Sequence, residues 1–487
     1  MDFSKIKKIY MIGIKGTGMA ALGQYLSEKG FEVIGSDTAE NYSTTADTLK
    51  NSKIKVIDGF DEKNIPSDAG LIIYSTAYNA ERNVEVAKAL SGKIKTLTYP
   101  EALGAVFNSS YGIAVAGSHG KTTTTAWLGF VAREAGMEPS VMNGSFVPQF
   151  GGNSLAGKSD YLIVEVDEYQ NKLQHYNPKA VLLNNIDYDH PDFFPDPESY
   201  EKVFIDFIKK IPKKGFLVAN FDDSVIKKVA RVNCQGKIIT YALENSEADF
   251  IAYDIRTQGD KQYFKVKARF NNKDAEHGID SAEELGDFST SLMGQHNIYN
   301  GLAVIAASIE LGLDLHKIRE YLGEFKGTAR RMELLGQFNG ADIYDDYAHH
   351  PTEIKTTLLG LKESQADKNL VVVFHPHTFT RTKALLDDFA KAFGSADELI
   401  VLDIYGSARE KQGGVHTTEL IEKIKNENLA SQDAGHDTGR EEQVIKYIPA
   451  LEECEKYLRA RLRRGDLCVL MGAGDVFRIG ENLLKDI

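Results

Sequence analysis

A lysine in the run A-G-S-H-G-K-T-T-T-T, residues 116–125, has the neighbours that a phosphate-binding lysine needs. The run follows the apolar Ile113-Ala114-Val115, where a strand hands over to a helix. The first N–H groups of a helix, together with its positive end, attract an anion. Gly117 and Gly120 let the backbone approach phosphate oxygens, with Ser118 and His119 between them. Lys121 can reach the outer phosphates, and Thr122, followed by Thr123, offers a hydroxyl to Mg2+. The spacing is shorter than the common phosphate-loop pattern, because the earlier glycine stands three positions before Gly120 and not five. A structural strand-to-helix turn is the alternative use of the same residues.

A metal-bound triphosphate also needs hard oxygen ligands, since the phosphates fill only part of the Mg2+ shell. Glu165-Val166-Asp167-Glu168 ends the apolar run Tyr161 to Val164, and Asp187-Tyr188-Asp189-His190 follows Val181-Leu182-Leu183. In a parallel sheet these ends share an edge with the phosphate loop; read singly, each is also an ordinary solvated loop. A second glycine cluster, Gly13-Ile14-Lys15-Gly16-Thr17-Gly18-Met19-Ala20-Ala21, contains G-x-G-x-x-A, with Asp37 about twenty residues on at the end of the next strand. That pattern fits a nicotinamide-dependent oxidoreductase, any other nucleotide diphosphate, or tight strand-to-helix packing. Further on, Asp345-Asp346-Tyr347-Ala348-His349-His350-Pro351-Thr352-Glu353 follows Ile343-Tyr344, and His375-Pro376-His377-Thr378-Phe379-Thr380-Arg381 follows Val371 to Phe374. Histidine and arginine at two strand ends suit a carboxylate ligand, with a transition-metal site as the alternative.

The elements that must carry these residues are α/β throughout. Short apolar runs alternate with helical stretches from Lys7 to about Phe107, again from Tyr111 to Ile239, and again beyond a linker at Phe325 to Arg331, the rhythm of βαβ units on parallel sheets. Tyr263 to Phe270 alternates at period two, as an antiparallel strand does. The 487 residues suggest about three domains. A net charge of -13 argues against nonspecific binding to nucleic acid or to an anionic membrane. No stretch approaches the ~20 apolar residues of a membrane helix, and the N-terminus has no long apolar segment behind a basic start. Cys234, Cys454 and Cys468 lack disulfide or zinc spacing, which fits a reducing cytoplasm. Ala430 to Glu442 is polar and acidic and reads as a mobile surface loop.

Together the motifs resemble the ATP-dependent Mur ligases of peptidoglycan synthesis. The resemblance covers nearly the whole chain and rests on Gly13 to Met19, Gly117 to Thr123 and N-I-D-Y-D-H-P-D-F-F at 185–194. It continues with G-Q-H-N-I-Y-N at 294–300, D-D-Y-A-H-H-P-T-E at 345–353 and F-H-P-H-T-F-T-R-T at 374–382. It implies three domains: a Rossmann-like domain for the UDP-sugar at 1–107, an ATP-binding domain with a parallel sheet plus a smaller antiparallel sheet at 108–326, and a Rossmann-like domain for the amino acid at 327–487. The implied reaction transfers the γ-phosphoryl of ATP to the lactoyl carboxylate of UDP-N-acetylmuramate, and the amine of L-alanine then attacks the acyl phosphate. The resemblance also implies a bacterial cytoplasmic enzyme, monomeric or homodimeric, with no nucleic-acid or membrane partner.

By the same resemblance, Lys121 stabilises the transferring phosphoryl, Thr122 and Glu165 hold one Mg2+, and His190 holds a second, bridging γ-phosphate and acyl oxygen. His296 and Asn297 contact adenine, Asp346 the ribose, and Arg331 the phosphates after domain closure. Tyr347, His349, His377 and Arg381 orient the amino acid, and Gly16, Thr17, Gly18 and Asp37 grip UDP. Two departures bear on the acceptor. Phe204 stands where related ligases carry a carboxylated lysine, which supports the alanine-adding branch. Gln170-Asn171-Lys172 stands where alanine ligases often carry basic residues and histidine, and the D-E-Y form before it is shared with a ligase of the recycled murein tripeptide, the alternative reading. The Lys121 loop speaks against an oxidoreductase, which has no need of it, and Lys121, Glu165 and His190 together speak against a non-catalytic UDP-sugar binder.

Overall fold

The computed structural model describes residues 3, 5–39, 43–269, 282–406, 412–433 and 443–485. The described strands form three sheets, one for each rhythmic stretch of sequence. In the first, β1 (Lys8–Ile12), β2 (Glu32–Asp37), β3 (Lys55–Asp58), β4 (Leu71–Tyr74) and β5 (Thr96–Thr98) lie in the order β3-β2-β1-β4-β5, all parallel. The order reverses between β1 and β4, and the glycine loop that follows β1 opens at that crevice, where a doubly wound sheet binds its ligand.

The second sheet contains β6 (Tyr111–Ala116), β7 (Ser140–Val147), β8 (Gly152–Leu155), β9 (Tyr161–Glu165), β10 (Ala180–Leu183), β11 (Phe216–Asn220), β12 (Lys237–Ala242), β13 (Phe250–Gln258), β14 (Lys261–Arg269) and β15 (Ala282–Thr290). Its order is β15-β14-β13-β12-β11-β10-β6-β9-β7-β8. Strands β6, β10 and β11 are covered on both faces, which is why they read as unbroken apolar runs. The period-two run becomes β14, in which buried residues alternate with half-buried ones; its last residue, Phe270, lies outside the described residues. The antiparallel strands β13 to β15 are continuous with the parallel sheet through the pairing of Tyr241 with Phe250 and Ala242 with Ile251.

The third sheet runs β16-β17-β21-β18-β19-β20, with β16 (Glu333–Phe338), β17 (Ala341–Asp346), β18 (Asn369–Phe374), β19 (Glu398–Val401), β20 (Val444–Tyr447) and β21 (Asp466–Met471). All its neighbours are parallel except the edge pair β16–β17. Residues 430–433, expected to begin a surface loop, instead finish the helix Thr417–Asp433. Leu420, Ile421 and Ile424 anchor that helix in the core, and Ala430 favours its continuation. Residues 434–442 of the expected loop lie outside the described residues.

The chain divides into two compact units. One comprises 1–187, 201–291 and 298–328; the other comprises 188–200, 292–297 and 329–487. The change at 328/329 falls inside the linker expected from sequence. Within the first unit the helix Thr17–Glu28 is joined to β8 by Gln24, whose amide accepts from Ser154 N at 3.1 Å and donates to Ser154 O at 3.2 Å. Trp127, fully buried, stacks on Phe325 at 5.7 Å and donates to Leu322 O at 3.0 Å. Among the described residues no helix is long and apolar enough to cross a membrane.

Candidate active site

In the first unit the quoted loop joins β6 to the helix Lys121–Glu134. Gly117 and Gly120 both take positive φ, +133° and +76°, a region that favours glycine. A side chain at Gly120 would also strike Asn300 Oδ1 at 2.5 Å. Lys121 folds back over the loop it starts: its ammonium donates to Gly117 O at 2.5 Å, to Ser118 O at 3.0 Å and to Glu168 Oε2 at 3.0 Å. Burial acts to lower the lysine pKa, but the carboxylates of Glu168, Asp167 and Glu165 outweigh it, so the ammonium is held above its ordinary value. The loop thus keeps a positive charge at the start of a helix, a place that favours an anion, while its own Ser118 and His119 N–H groups donate to Asn185 O at 3.2 Å and Asn185 Oδ1 at 2.7 Å.

The two acidic strand ends flank this loop because β9 and β10 are the two neighbours of β6. Thr122 donates to Glu165 Oε1 at 2.8 Å, and Gly144 N donates to Glu165 Oε2 at 2.6 Å. A hydroxyl and a carboxylate so placed are hard oxygen donors of the kind Mg2+ prefers. On the other side Ser118 donates to Asp187 O at 2.7 Å, and His119 Nε2 lies 3.0 Å from Asp187 Oδ2.

The loop after β1 is built differently. Gly13 has φ +84°, and a side chain there would meet Ser75 and Tyr78 at 2.8 Å. Gly16 is the N-cap of the helix whose first residues are Thr17 and Gly18, and no side chain caps that helix end. Asp37, 3% exposed, accepts from Lys15 N at 2.7 Å, Thr38 N at 2.8 Å and Tyr78 OH at 3.0 Å. Its carboxylate therefore shapes the loop around the crevice.

In the second unit the ends of β17 and β18 carry the histidine motifs. Arg381 is buried and pairs with buried Asp189, Nε to Oδ1 at 2.9 Å and Nη2 to Oδ2 at 3.4 Å. Burial would raise the Asp189 pKa, but the charge of Arg381 holds it well below the usual carboxylate range. His190 has φ +58° and lies 3.7 Å from Asp189 Oδ2. His349 Nδ1 lies 2.9 Å from Tyr347 O, and burial followed by the charge of Arg381 depresses its pKa to about 3. The His349 and His377 rings meet edge to face at 6.2 Å, and His377 stacks on Tyr405 at 5.7 Å. Asp346 accepts from Ala348 N at 2.7 Å and Met332 N at 2.8 Å, and burial raises its pKa to about 6. Arg331 lies over the Tyr347 ring at 5.1 Å. Asn297 donates to Met293 O at 2.7 Å and sits 3.0 Å from His296 Nε2; burial lowers the His296 pKa to about 4. Thr122, Glu165 and Lys121 belong to the first unit, whereas His190, Arg381 and the histidines belong to the second.

Several supporting residues were not singled out by sequence reasoning. Asn184 and Asn300 hold Thr124 behind the loop, at 3.0 and 3.2 Å. Arg330 pairs with Asp345 at 3.0 Å and donates to Gly472 O and Gly474 O at 2.9 and 3.0 Å. Each stands inside or beside a quoted motif, so proximity to the motif was the available signal.

Three family patterns match the chain in order: the Mur ligase family catalytic domain over residues 8–111, the Mur ligase middle domain over 115–308 and the Mur ligase glutamate ligase domain over 330–474. A UDP-N-acetylmuramate–L-alanine ligase of Desulfitobacterium hafniense (strain Y51) is 37% identical over 478 residues, covering 98% of this chain and 99% of the relative. The solved UDP-N-acetylmuramate-alanine ligase of Thermotoga maritima superposes with a TM-score of 0.78 at 23% identity, covering 98% of both chains. A murein peptide ligase of Psychrobacter arcticus does so with a TM-score of 0.70 at 25% identity, also covering 98% of both chains. The glycine loop between two acidic strand ends, the three sheets and this full-length identity agree, and the chain belongs to the Mur ligase family of ATP-using ligases.

Proposed function

We propose that this enzyme joins L-alanine to the lactoyl carboxylate of UDP-N-acetylmuramate at the expense of ATP, in the bacterial cytoplasm, as a step of peptidoglycan precursor synthesis. The observation that carries the reading is the Lys121 ammonium held by Gly117 O, Ser118 O and Glu168 in a loop beside Glu165. The 37% full-length identity to a ligase named for these substrates supports the choice of substrate. The domains assigned to the three tasks are 1–107 for the sugar nucleotide, 108–326 for ATP and 327–487 for the amino acid.

In this reading the loop Gly117 to Thr123 binds the β- and γ-phosphates, and Lys121 stabilises the charge that spreads over the transferring phosphoryl group. Thr122 and Glu165 fit a magnesium ion, and His190 is assigned to a second; bound Mg2+ supplies charge neutralisation at the phosphates. His296 and Asn297 are assigned to adenine, Asp346 to the ribose and Arg331 to the phosphates. The lactoyl carboxylate oxygen attacks the γ-phosphorus and ADP leaves. The neutral amine of L-alanine then attacks the acyl carbon, phosphate leaves, and the amine gives up one proton. Arg381, oriented by Asp189, binds the alanine carboxylate with Tyr347, His349 and His377 around it. Gly16, Thr17 and Gly18 hold the UDP pyrophosphate at the helix end that Asp37 shapes.

A second reading, addition of the recycled murein tripeptide, is favoured by the Asp167-Glu168-Tyr169 form and by the likeness to a murein peptide ligase. Phosphate release with ATP, Mg2+ and UDP-N-acetylmuramate, compared for L-alanine, glycine, L-serine and the tripeptide, decides between them. Turnover led by L-alanine is the expected result. Turnover with tripeptide alone moves the enzyme to recycling, and release with none of the four overturns both readings.

A further inference from the structure

Tyr99 belongs to none of the motifs, yet the fold delivers it to the sugar-nucleotide crevice. Ile12 of β1 is in register with Tyr74 of β4, and Tyr74 with Thr98 of β5. Tyr99, the next residue, therefore leaves the sheet at the edge from which the loop Gly13 to Gly18 leaves it. Its backbone is fixed there by a capping box: Thr98 N donates to Glu101 Oε2 at 2.8 Å, Glu101 N donates to Thr98 Oγ1 at 3.4 Å, and buried Pro100 follows.

The half-buried ring lies against the start of the helix Thr17–Glu28. A Cβ at Gly18 would stand 2.5 Å from the Tyr99 hydroxyl oxygen and 2.6 Å from the ring carbon that bears it. Gly18 does not have the positive φ that Gly13 and Gly120 have, so its lack of a side chain serves this contact and not a backbone turn. The phenol hydroxyl thus stands beside the second residue of a helix, where an incoming phosphate is favoured. Burial, and after it the charges of Glu165 and Asp167, raise the phenol pKa above its ordinary value, so the group remains a neutral donor at physiological pH. A neutral donor strengthens anion binding at this helix end without setting another cation near the acids of β9.

We infer that Tyr99 is a substrate-positioning residue whose hydroxyl donates a hydrogen bond to the pyrophosphate of the bound sugar nucleotide. The inference rests on the sugar-nucleotide assignment proposed above. It is tested by calorimetric titration of the full-length protein and its Tyr99→Phe variant with UDP and with UDP-N-acetylmuramate, alongside the KM for ATP and the melting temperature. The expected result is a roughly tenfold loss of affinity for both uridine nucleotides, the scale of one hydrogen bond to a charged acceptor, with KM for ATP and melting unchanged. Equal binding by wild type and variant overturns the role of Tyr99 alone. A loss confined to UDP-N-acetylmuramate overturns the pyrophosphate as the contacted group, and a parallel rise in KM for ATP reduces Tyr99 to a structural residue. Failure of the wild type to bind either nucleotide overturns the sugar-nucleotide assignment and the inference with it. Gly18→Ala, which forces the ring off the helix end, is the second variant: it should weaken UDP binding, and unchanged UDP affinity overturns the contact.

Discussion

Two cation–carboxylate pairs, one in each compact unit, solve different problems with similar parts. Lys121 divides its three donors among Gly117 O, Ser118 O and Glu168, so it acts as a point charge held over a loop. Arg381 commits Nε and Nη2 to Asp189, which leaves Nη1 on the side of His377, at 3.4 Å from its Nδ1. A phosphoryl group in transfer carries diffuse charge and is served by a compact ammonium, whereas a carboxylate is recognised by a planar fork held in one orientation. In the first unit the acid keeps the cation charged; in the second it aims it.

The sharpest way to break the comparison is Lys121→Ala, which should lower kcat by at least about a thousandfold with little change in melting temperature. A residual rate within tenfold of wild type contradicts the role given to the loop. Arg381→Lys keeps the charge but removes the fork, and should lower kcat/KM for L-alanine about a hundredfold while KM for ATP stays within about twofold; steady-state kinetics with each substrate varied separates the two. Glu168→Gln should cost about tenfold in kcat, less than loss of the lysine itself, because two loop carbonyls still position Lys121. An effect as large as that of Lys121→Ala would show that Glu168 does more than hold its partner.

The smallest expected effect concerns pH. His296 has a folded pKa near 4, below the ordinary histidine value of 6.5, because burial disfavours its charged form. The unfolded chain therefore takes up the proton first, so the contribution of His296 to stability is complete above pH 6.5 and is lost as pH falls toward 4. Denaturant unfolding should show the wild type losing about 2–3 kcal/mol more than His296→Gln between pH 7 and 4. Asp345 and Asp346 work in the opposite direction: burial raises their pKa values to about 7 and 6, so they favour the folded state as pH falls. The wild-type-minus-variant difference isolates the histidine, and parallel curves for the two proteins would contradict the assignment.

Much of this organisation is legible in the sequence, because strands covered on both faces must be apolar along their length and the residues after them must turn. Ile113 to Ala116 and Val181 to Leu183 announce themselves in this way, and so do the glycines that the loop after β6 requires. What stays hidden depends on neighbours distant in sequence. Nothing near Gly18 says that Tyr99 will press against it, and Asn300 lies 176 residues from the Thr124 hydroxyl it receives. Asp37 was legible as an acid at a strand end, but not as the carboxylate that fastens Lys15, Thr38 and Tyr78 around the loop.

The central claim is that the first unit phosphorylates a carboxylate that an amine then attacks. UDP-N-acetylmuramate labelled with 18O in both lactoyl carboxylate oxygens, turned over with ATP and L-alanine, tests it in a single mass measurement. If γ-phosphoryl transfer to the carboxylate precedes amide formation, one labelled oxygen leaves with each phosphate and the other remains in the amide carbonyl. Unlabelled phosphate accompanied by amide product would contradict the account.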